Sequence, residues 1–499
     1  MKEYVSKFKE LLEEKNIIDT TITLITWELE TIVPPKGIEL LAKQIGYFSM
    51  KSYNIITSSE MKEILAYFNQ NKESLNPVLQ RETELLSEEM ERMDLIPPDE
   101  YKAYKELIAE SQSIWKTAKE TNNFNMFKKN LKKIFEYSKK FATYEFDSKD
   151  EQYKQEKVPY DILLEQYEKG MDTKQLDIFF DTLKKEIVPL LAEVLKKQRT
   201  KKIKFPIVSV DSQKKISKFL SSYVGFDYES GVIGESEHPY TTSLNKNDVR
   251  FTTKYTKNLP TASIFSTIHE SGHGIYEQQT DDKLTNTILG GGSSMGLHES
   301  QSRFYENMIG RNYYFWKGIA ENSVFSPIFS KMNLNGFYLG INTVAPSLIR
   351  IESDELTYSL HIMVRYEIEK GIFNNEIKID DLQNVWSKKM YDYLGITPKN
   401  DTEGVLQDVH WADGLIGYFP SYAIGNAYSA QIFNQLKKDL NFEKILENGE
   451  LYKIKDWLKI KIHKYGALRN SKDIIKKVTG EELNPIYYIN YLRDKFLNI

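Results

Sequence analysis

Apolar residues recur at helical spacing along most of this chain. Tyr101, Tyr104, Leu107, Ile108, Trp115 and Ala118 form one stripe, which predicts a helix introduced by Pro97-Pro98-Asp99 with Asp99 as its cap. Phe127, Leu131, Phe135 and Phe141 predict a second helix after Asn122-Asn123. Lysine and glutamate fill the opposite faces, as on a solvated surface, and the aromatic stripes are assigned to the core. Met1-Lys2-Glu3-Tyr4-Val5 opens an amphipathic helix rather than a secretion signal. The period changes between about Lys201 and Asn258, where Phe205–Val210 and Asp248–Thr253 read as short strands. The apolar, proline-free run Ala262–Ile268 then predicts a helix from about Thr261 through Gln278.

No linker, low-complexity segment or internal repeat interrupts the pattern. The expectation is one mainly α domain over 1–499, helical to about 200, with strands over 201–258 and helices again over 259–499. Two lobes around a groove fit that order.

Composition narrows the chemistry. The chain has 499 residues, a net charge of −4 and a pI near 6.1, so nothing favours nucleic acid. Cysteine is absent, which removes disulfides, thiolate ligands and cysteine nucleophiles. Any metal must be held by histidine and carboxylate. No apolar run approaches the roughly 18 residues of a membrane span, and a soluble, cytoplasmic protein is expected.

Within the helix predicted over 261–278 stands His269-Glu270-Ser271-Gly272-His273. Four helical residues advance about 6 Å and turn about 40° beyond a full turn, so both imidazoles project from one face. They can share a metal, while Glu270 reaches a reacting water without ligating. Chance would give His-Glu-x-x-His in about one such chain in a hundred. Gly272 and Gly274 each cost the helix roughly 1 kcal/mol against alanine, which implies close packing there, by a strand or a substrate backbone.

A catalytic zinc takes three protein ligands, and the third must lie downstream. Past the loop Gly290-Gly291-Gly292-Ser293-Ser294 stand His298 and Glu299, and spacing alone does not choose between them. Six of the seven histidines fall between 238 and 410. His361 and His463 read as structural. His238 and His410, beside proline and tryptophan, are as suited to a site as to the fold.

Taken in order, the motifs resemble the carboxypeptidase Taq family. They are His238-Pro239-Tyr240, Asp248-Val249-Arg250-Phe251-Thr252, the His269–His273 helix, His298-Glu299-Ser300-Gln301, Ile349-Arg350-Ile351-Glu352-Ser353-Asp354, and Gly404 through Trp411. Trp27 and Pro34-Pro35-Lys36-Gly37 resemble the family's opening, so the likeness covers essentially the whole chain. Tyr240 stands for phenylalanine and Ser353 for alanine, changes that bear on pocket shape.

The resemblance implies a neurolysin-like helical zincin, with a deep central groove, a small β-sheet beside the zinc helix and usually a homodimer. It implies a metal-dependent carboxypeptidase that releases single residues with broad specificity, using one divalent metal, zinc or cobalt. His269, His273 and Glu299 become the ligands and Glu270 the general base. His410 and Tyr422 become the oxyanion donors. An exopeptidase must also recognise a free carboxylate, a task for arginine's planar fork. Arg350 is the first choice and Arg250 the second, with His238 helping to position the same end. A structural pair of Arg350 with Asp354 competes with that role. The rival functions are an oligopeptidase or dipeptidyl carboxypeptidase on the same scaffold, and a binding protein that has lost catalysis.

Overall fold

The computed structural model describes residues 1–198 and 203–499. Five long helices and a shorter one occupy the first part of the chain: α1 Lys2–Thr31, α2 Ile38–Ile56, α3 Ser59–Gln70, α4 Pro77–Asp94, α5 Pro98–Glu120 and α6 Phe124–Ser148. Their starts follow local chemistry. Ser58 and Asn76 accept hydrogen bonds from Met61 N and Leu79 N, each satisfying an otherwise orphaned helical N–H. Asp99 does not cap α5. Pro97 holds the cap position without a side-chain bond, and Asp99 sits in the first turn, where its charge favours the helix dipole.

Two apolar cores result. Phe8, Leu12, Met61, Leu65 and Phe68 belong to a smaller one confined to α1–α4, and the larger runs from Leu107 to Phe496. Each fully buried Leu, Ile or Phe contributes about 1.5–3 kcal/mol.

The helices α7 Thr173–Lys197 and α8 Val210–Val224 lead to the only sheet among the described residues. It consists of β1 Gly231–Glu235, β2 Thr241–Asn245 and β3 Asp248–Thr253 in the order β1-β3-β2. β3 pairs in parallel with β1 and antiparallel with β2, with a register shift between Ser243 and Asn245. The strand expected over Asp248–Thr253 is therefore present. The strand expected over Phe205–Val210 is not. Pro206 lacks an N–H for a ladder, Ser209 caps α8 by accepting from Ser212 N, and Val210 is already helical. Residues 201 and 202, where the strand-bearing stretch was expected to begin, lie outside the described residues.

After β3 come α9 Pro260–Gln278, α10 Met295–Arg303, α11 Tyr358–Phe373 and α12 Pro420–Asp439. α9 matches the predicted helix to within one residue at its start. The architecture is mainly helical with one small sheet. α9 lies against β2 and β3 on one side and α10 on the other.

Candidate active site

Two glycines let the site close up. A Cβ on Gly272 would fall 2.8 Å from the Gln301 carbonyl oxygen and 2.8 Å from Ser302 Cα. The close neighbour inferred from this glycine is thus the backbone of α10. Gly425 of α12 does the same from behind, since a Cβ there would lie 2.6 Å from Glu299 Cγ. Gly274 meets the Phe226 ring and Val249 of β3.

The loop 290–294 ends at Ser294, whose Oγ accepts from Leu297 N and so starts α10. Glu299 is thereby presented to α9. His269, His273 and Glu299 offer ligand atoms that all lie within 4.8 Å of one another. Glu299 Oε2 is 3.8 Å from His269 Nε2 and 3.5 Å from His273 Nε2. Tetrahedral zinc with bonds near 2.0 Å separates its ligands by about 3.3 Å, so the triangle fits a divalent ion.

Behind the triangle, these candidate ligands are already engaged. Glu299 Oε1 accepts from Arg303 Nε at 2.6 Å. His269 Nδ1 lies 2.9 Å from Glu306 Oε2, and Glu306 is held in turn by Arg303 and Arg311. Glu306 sits on a wider π-type turn, Phe304–Gly310, that continues α10. Burial opposes ionisation of Glu299, but Arg303 and His269 hold its carboxyl well below the usual carboxylate range. Burial pushes His273 down to about 3, leaving it neutral, as a ligand must be.

His298, the alternative ligand, is turned away. Its Nδ1 is 2.6 Å from His273 Nδ1 and its Nε2 is 2.7 Å from Glu277 Oε1. Both nitrogens are occupied.

Glu270 is buried beside these three residues, and its Oε2 accepts from Thr241 Oγ1 of β2 at 2.7 Å. Burial raises its pKa, with His269 opposing. Sequence reasoning missed Thr241, which lies 29 residues from Glu270. It also missed Glu306, although Glu299, Arg303 and Glu306 form a legible i, i+4, i+7 stripe.

A second cluster forms on the segment 404–422. His410 Nε2 and Tyr422 Oη are 3.0 Å apart, and His410 Nδ1 is buried without a partner among the described residues. Burial, reinforced by Arg350, pushes His410 down to about 3. Burial also raises Tyr422 well above the usual phenol range. Both groups are neutral hydrogen-bonding groups at ordinary pH.

The Arg350 guanidinium lies 4.9 Å from the Tyr422 ring centroid. Its Nε and Nη2 are 3.0 and 2.9 Å from Asp408 Oδ1, and its Nη1 donates to Tyr358 Oη at 2.9 Å. Arg365 grips the other oxygen, its Nε 2.6 Å from Asp408 Oδ2. The ion pair is therefore with Asp408 and not with Asp354, whose carboxylate accepts from Ala345 N and Thr357 N. N–H groups on both terminal nitrogens of Arg350 remain for another partner.

Arg250 is differently placed. Nε and Nη2 each donate at 2.8 Å to the two oxygens of Asp248, so its planar fork already holds a carboxylate. His238 is exposed in the connection from β1 to β2, and its ring makes no hydrogen bond among the described residues. His463 is buried with both nitrogens bonded, to Gln279 and Gln301, and His361 is buried in the core.

Comparison with known proteins gives a consistent picture. The family profile described as Carboxypeptidase Taq (M32) metallopeptidase matches residues 7–496. Carboxypeptidase 1 of Bacillus subtilis is 42% identical over 504 residues, spanning 99% of this chain and 98% of that protein. Thermostable carboxypeptidase 1 of Pyrococcus furiosus is 33% identical over 485 residues, spanning 95% of each. The crystal structure of an M32 carboxypeptidase from Deinococcus radiodurans R1 superposes with a TM-score of 0.94 at 28% identity, over 99% of both chains.

Proposed function

The chain belongs to the carboxypeptidase Taq (M32) metallopeptidase family, and we propose that it removes single C-terminal residues from peptides by hydrolysis, with Glu270 as general base. Metallocarboxypeptidase activity and a divalent metal come with the family. The finer statements are our reading: zinc as the ion, His269, His273 and Glu299 as its ligands, broad side-chain tolerance and a homodimeric enzyme. The observation that carries it is the convergence of three ligand atoms, from His269, His273 and Glu299, beside a buried carboxylate.

When bound, zinc acidifies a water and polarises the scissile carbonyl. Glu270 receives the water's proton and returns it to the leaving amine. Burial raises its pKa, which makes the carboxylate a stronger acceptor for that proton. Thr241 holds the carboxylate by one oxygen and leaves Oε1 free to face the water. His410 donates Nε2–H to Tyr422 Oη at 3.0 Å and so aims the Tyr422 hydroxyl, which donates to the oxyanion as it develops. Arg350, braced by Asp408, binds the substrate's terminal carboxylate with its remaining N–H groups. Arg250, which keeps N–H groups on both terminal nitrogens beside its bonds to Asp248, and His238 are the second choice for that end of the substrate.

The test is amino-acid release over time from an N-blocked peptide and its C-terminally amidated twin, with and without a chelator. Stepwise release from the free acid alone, abolished by chelator and restored by zinc or cobalt, is the expected result. Cleavage of both peptides, or release of dipeptides, would replace this reading with the oligopeptidase or dipeptidyl carboxypeptidase one.

A further inference from the structure

With one proton on each ring, the contact between two imidazoles in this site has a single workable hydrogen arrangement. Nδ1 of His273 and Nδ1 of His298 are 2.6 Å apart, a separation that is attractive only when one nitrogen carries a proton and the other a lone pair. The carboxylate of Glu277, 2.7 Å from His298 Nε2, can only accept. The His298 proton is therefore on Nε2, and its Nδ1 is a bare acceptor. His273 must then carry its proton on Nδ1, which leaves its Nε2 bare. That atom is the one facing Glu299 Oε2 at 3.5 Å.

We infer that Glu277 and His298 form a positioning relay that fixes the tautomer and ring plane of His273 and strengthens it as a metal donor. The inference rests on the metal site proposed above.

The loop before α10 is shaped to hold the relay. Gly292 N donates to Glu277 Oε1 at 3.1 Å, and a Cβ on Gly292 would fall 2.5 Å from His298 Cδ2. No larger residue leaves room for this ring. The Tyr276 ring flanks His298 at 5.3 Å, and its hydroxyl accepts from Ser293 N.

The two ligand histidines are thus supported unequally. Glu306, behind His269, shares its charge with Arg303 and Arg311. Glu277 makes no ion pair with lysine or arginine among the described residues, and its charge is directed through His298. An acceptor that polarises a ligating imidazole raises its basicity, and losing such a partner typically weakens metal binding about 10–100-fold.

The experiment is zinc affinity of the full-length protein, stripped and reconstituted, by competition with a chromophoric chelator. His298→Ala should weaken zinc by about 10–100-fold. His298→Asn keeps an acceptor for His273 but cuts the link to Glu277, and should fall in between. Glu277→Gln, which removes the charge and keeps the shape, should also weaken zinc and shift the visible bands of the cobalt-substituted protein. Zinc affinity within about twofold of the unmodified protein for His298→Ala, or for Glu277→Gln if the alanine variant does not fold, overturns the relay. An unmodified protein that fails to bind one zinc per chain overturns instead the metal site beneath it.

Discussion

The hydroxyl of Thr241 lies 2.7 Å from Oε2 of Glu270, tying the half-buried edge strand β2 to the proposed base. β2 pairs only with β3, so this bond is what gives the strand a place in the chemistry. A hydrogen bond to a charged group is worth about 1.5–3 kcal/mol. Thr241→Val should therefore lower kcat by roughly 10–100-fold, with metal content unchanged, and Thr241→Ser should recover most of it. Steady-state kinetics alongside metal analysis checks this; a valine variant with native kcat removes Thr241 from the mechanism.

Glu270→Gln keeps the shape of the side chain and its bond to Thr241 but cannot take a proton. General acid–base groups contribute about 10²–10⁴-fold, and the loss in kcat should fall in or above that range. Zinc content should stay at the wild-type level because Glu270 is not among the three converging residues. Normal turnover in this variant would mean another group is the base.

The reach of sequence reasoning depended on whether a relationship was local. Two histidines four apart on a helix need only the helical period, and α9 begins within one residue of the expected place. His298 and Glu299 are neighbours on one helix, so spacing could not separate them. The structure does so by pointing His298 at Glu277 and Glu299 at the paired imidazoles. β1 and β2 were missed because they are five residues each, with Gly231 and Gly234 in one and Thr241-Thr242-Ser243 in the other, and neither shows apolar alternation. Phe205–Val210 failed for the opposite reason, an apolar run with no partner strand. Asp408, which fixes Arg350 across 58 positions, is a tertiary contact that no local period encodes.

Far from the site, Glu82 of α4 is buried, and burial raises its pKa from 4.5 to about 7. Between those values the folded protein keeps a proton that the unfolded chain has released. Folding then takes up a proton, and stability falls as pH rises from about 4.5 to 7. A shift of this size corresponds to roughly 3 kcal/mol at most. Glu82→Gln removes the titration, so it should raise the melting temperature above pH 7 and flatten its dependence through that window. Calorimetry at fixed scan rate from pH 4.5 to 8 decides it, and an unchanged slope refutes the assignment.

Arg350 poses the sharpest question because Asp408 already neutralises it. Two buried guanidiniums, Arg350 and Arg365, share the one partly buried Asp408 carboxylate, leaving a net positive charge among the three. A second carboxylate from outside would balance it, and a peptide's free C-terminus supplies one. Arg350→Ala should thus cut kcat/KM on a free-acid peptide by about 30–5000-fold, the equivalent of losing a buried charge pair worth about 2–5 kcal/mol. Zinc content should be retained, since Arg350 touches none of the three ligands. Asp408→Asn should weaken the same step less, because Arg350 survives with a less defined orientation. The decisive quantity is the ratio of kcat/KM on the free-acid peptide to that on the amidated twin. An anchor predicts that the ratio collapses in Arg350→Ala, whereas a structural arginine predicts that both values fall together and the ratio holds.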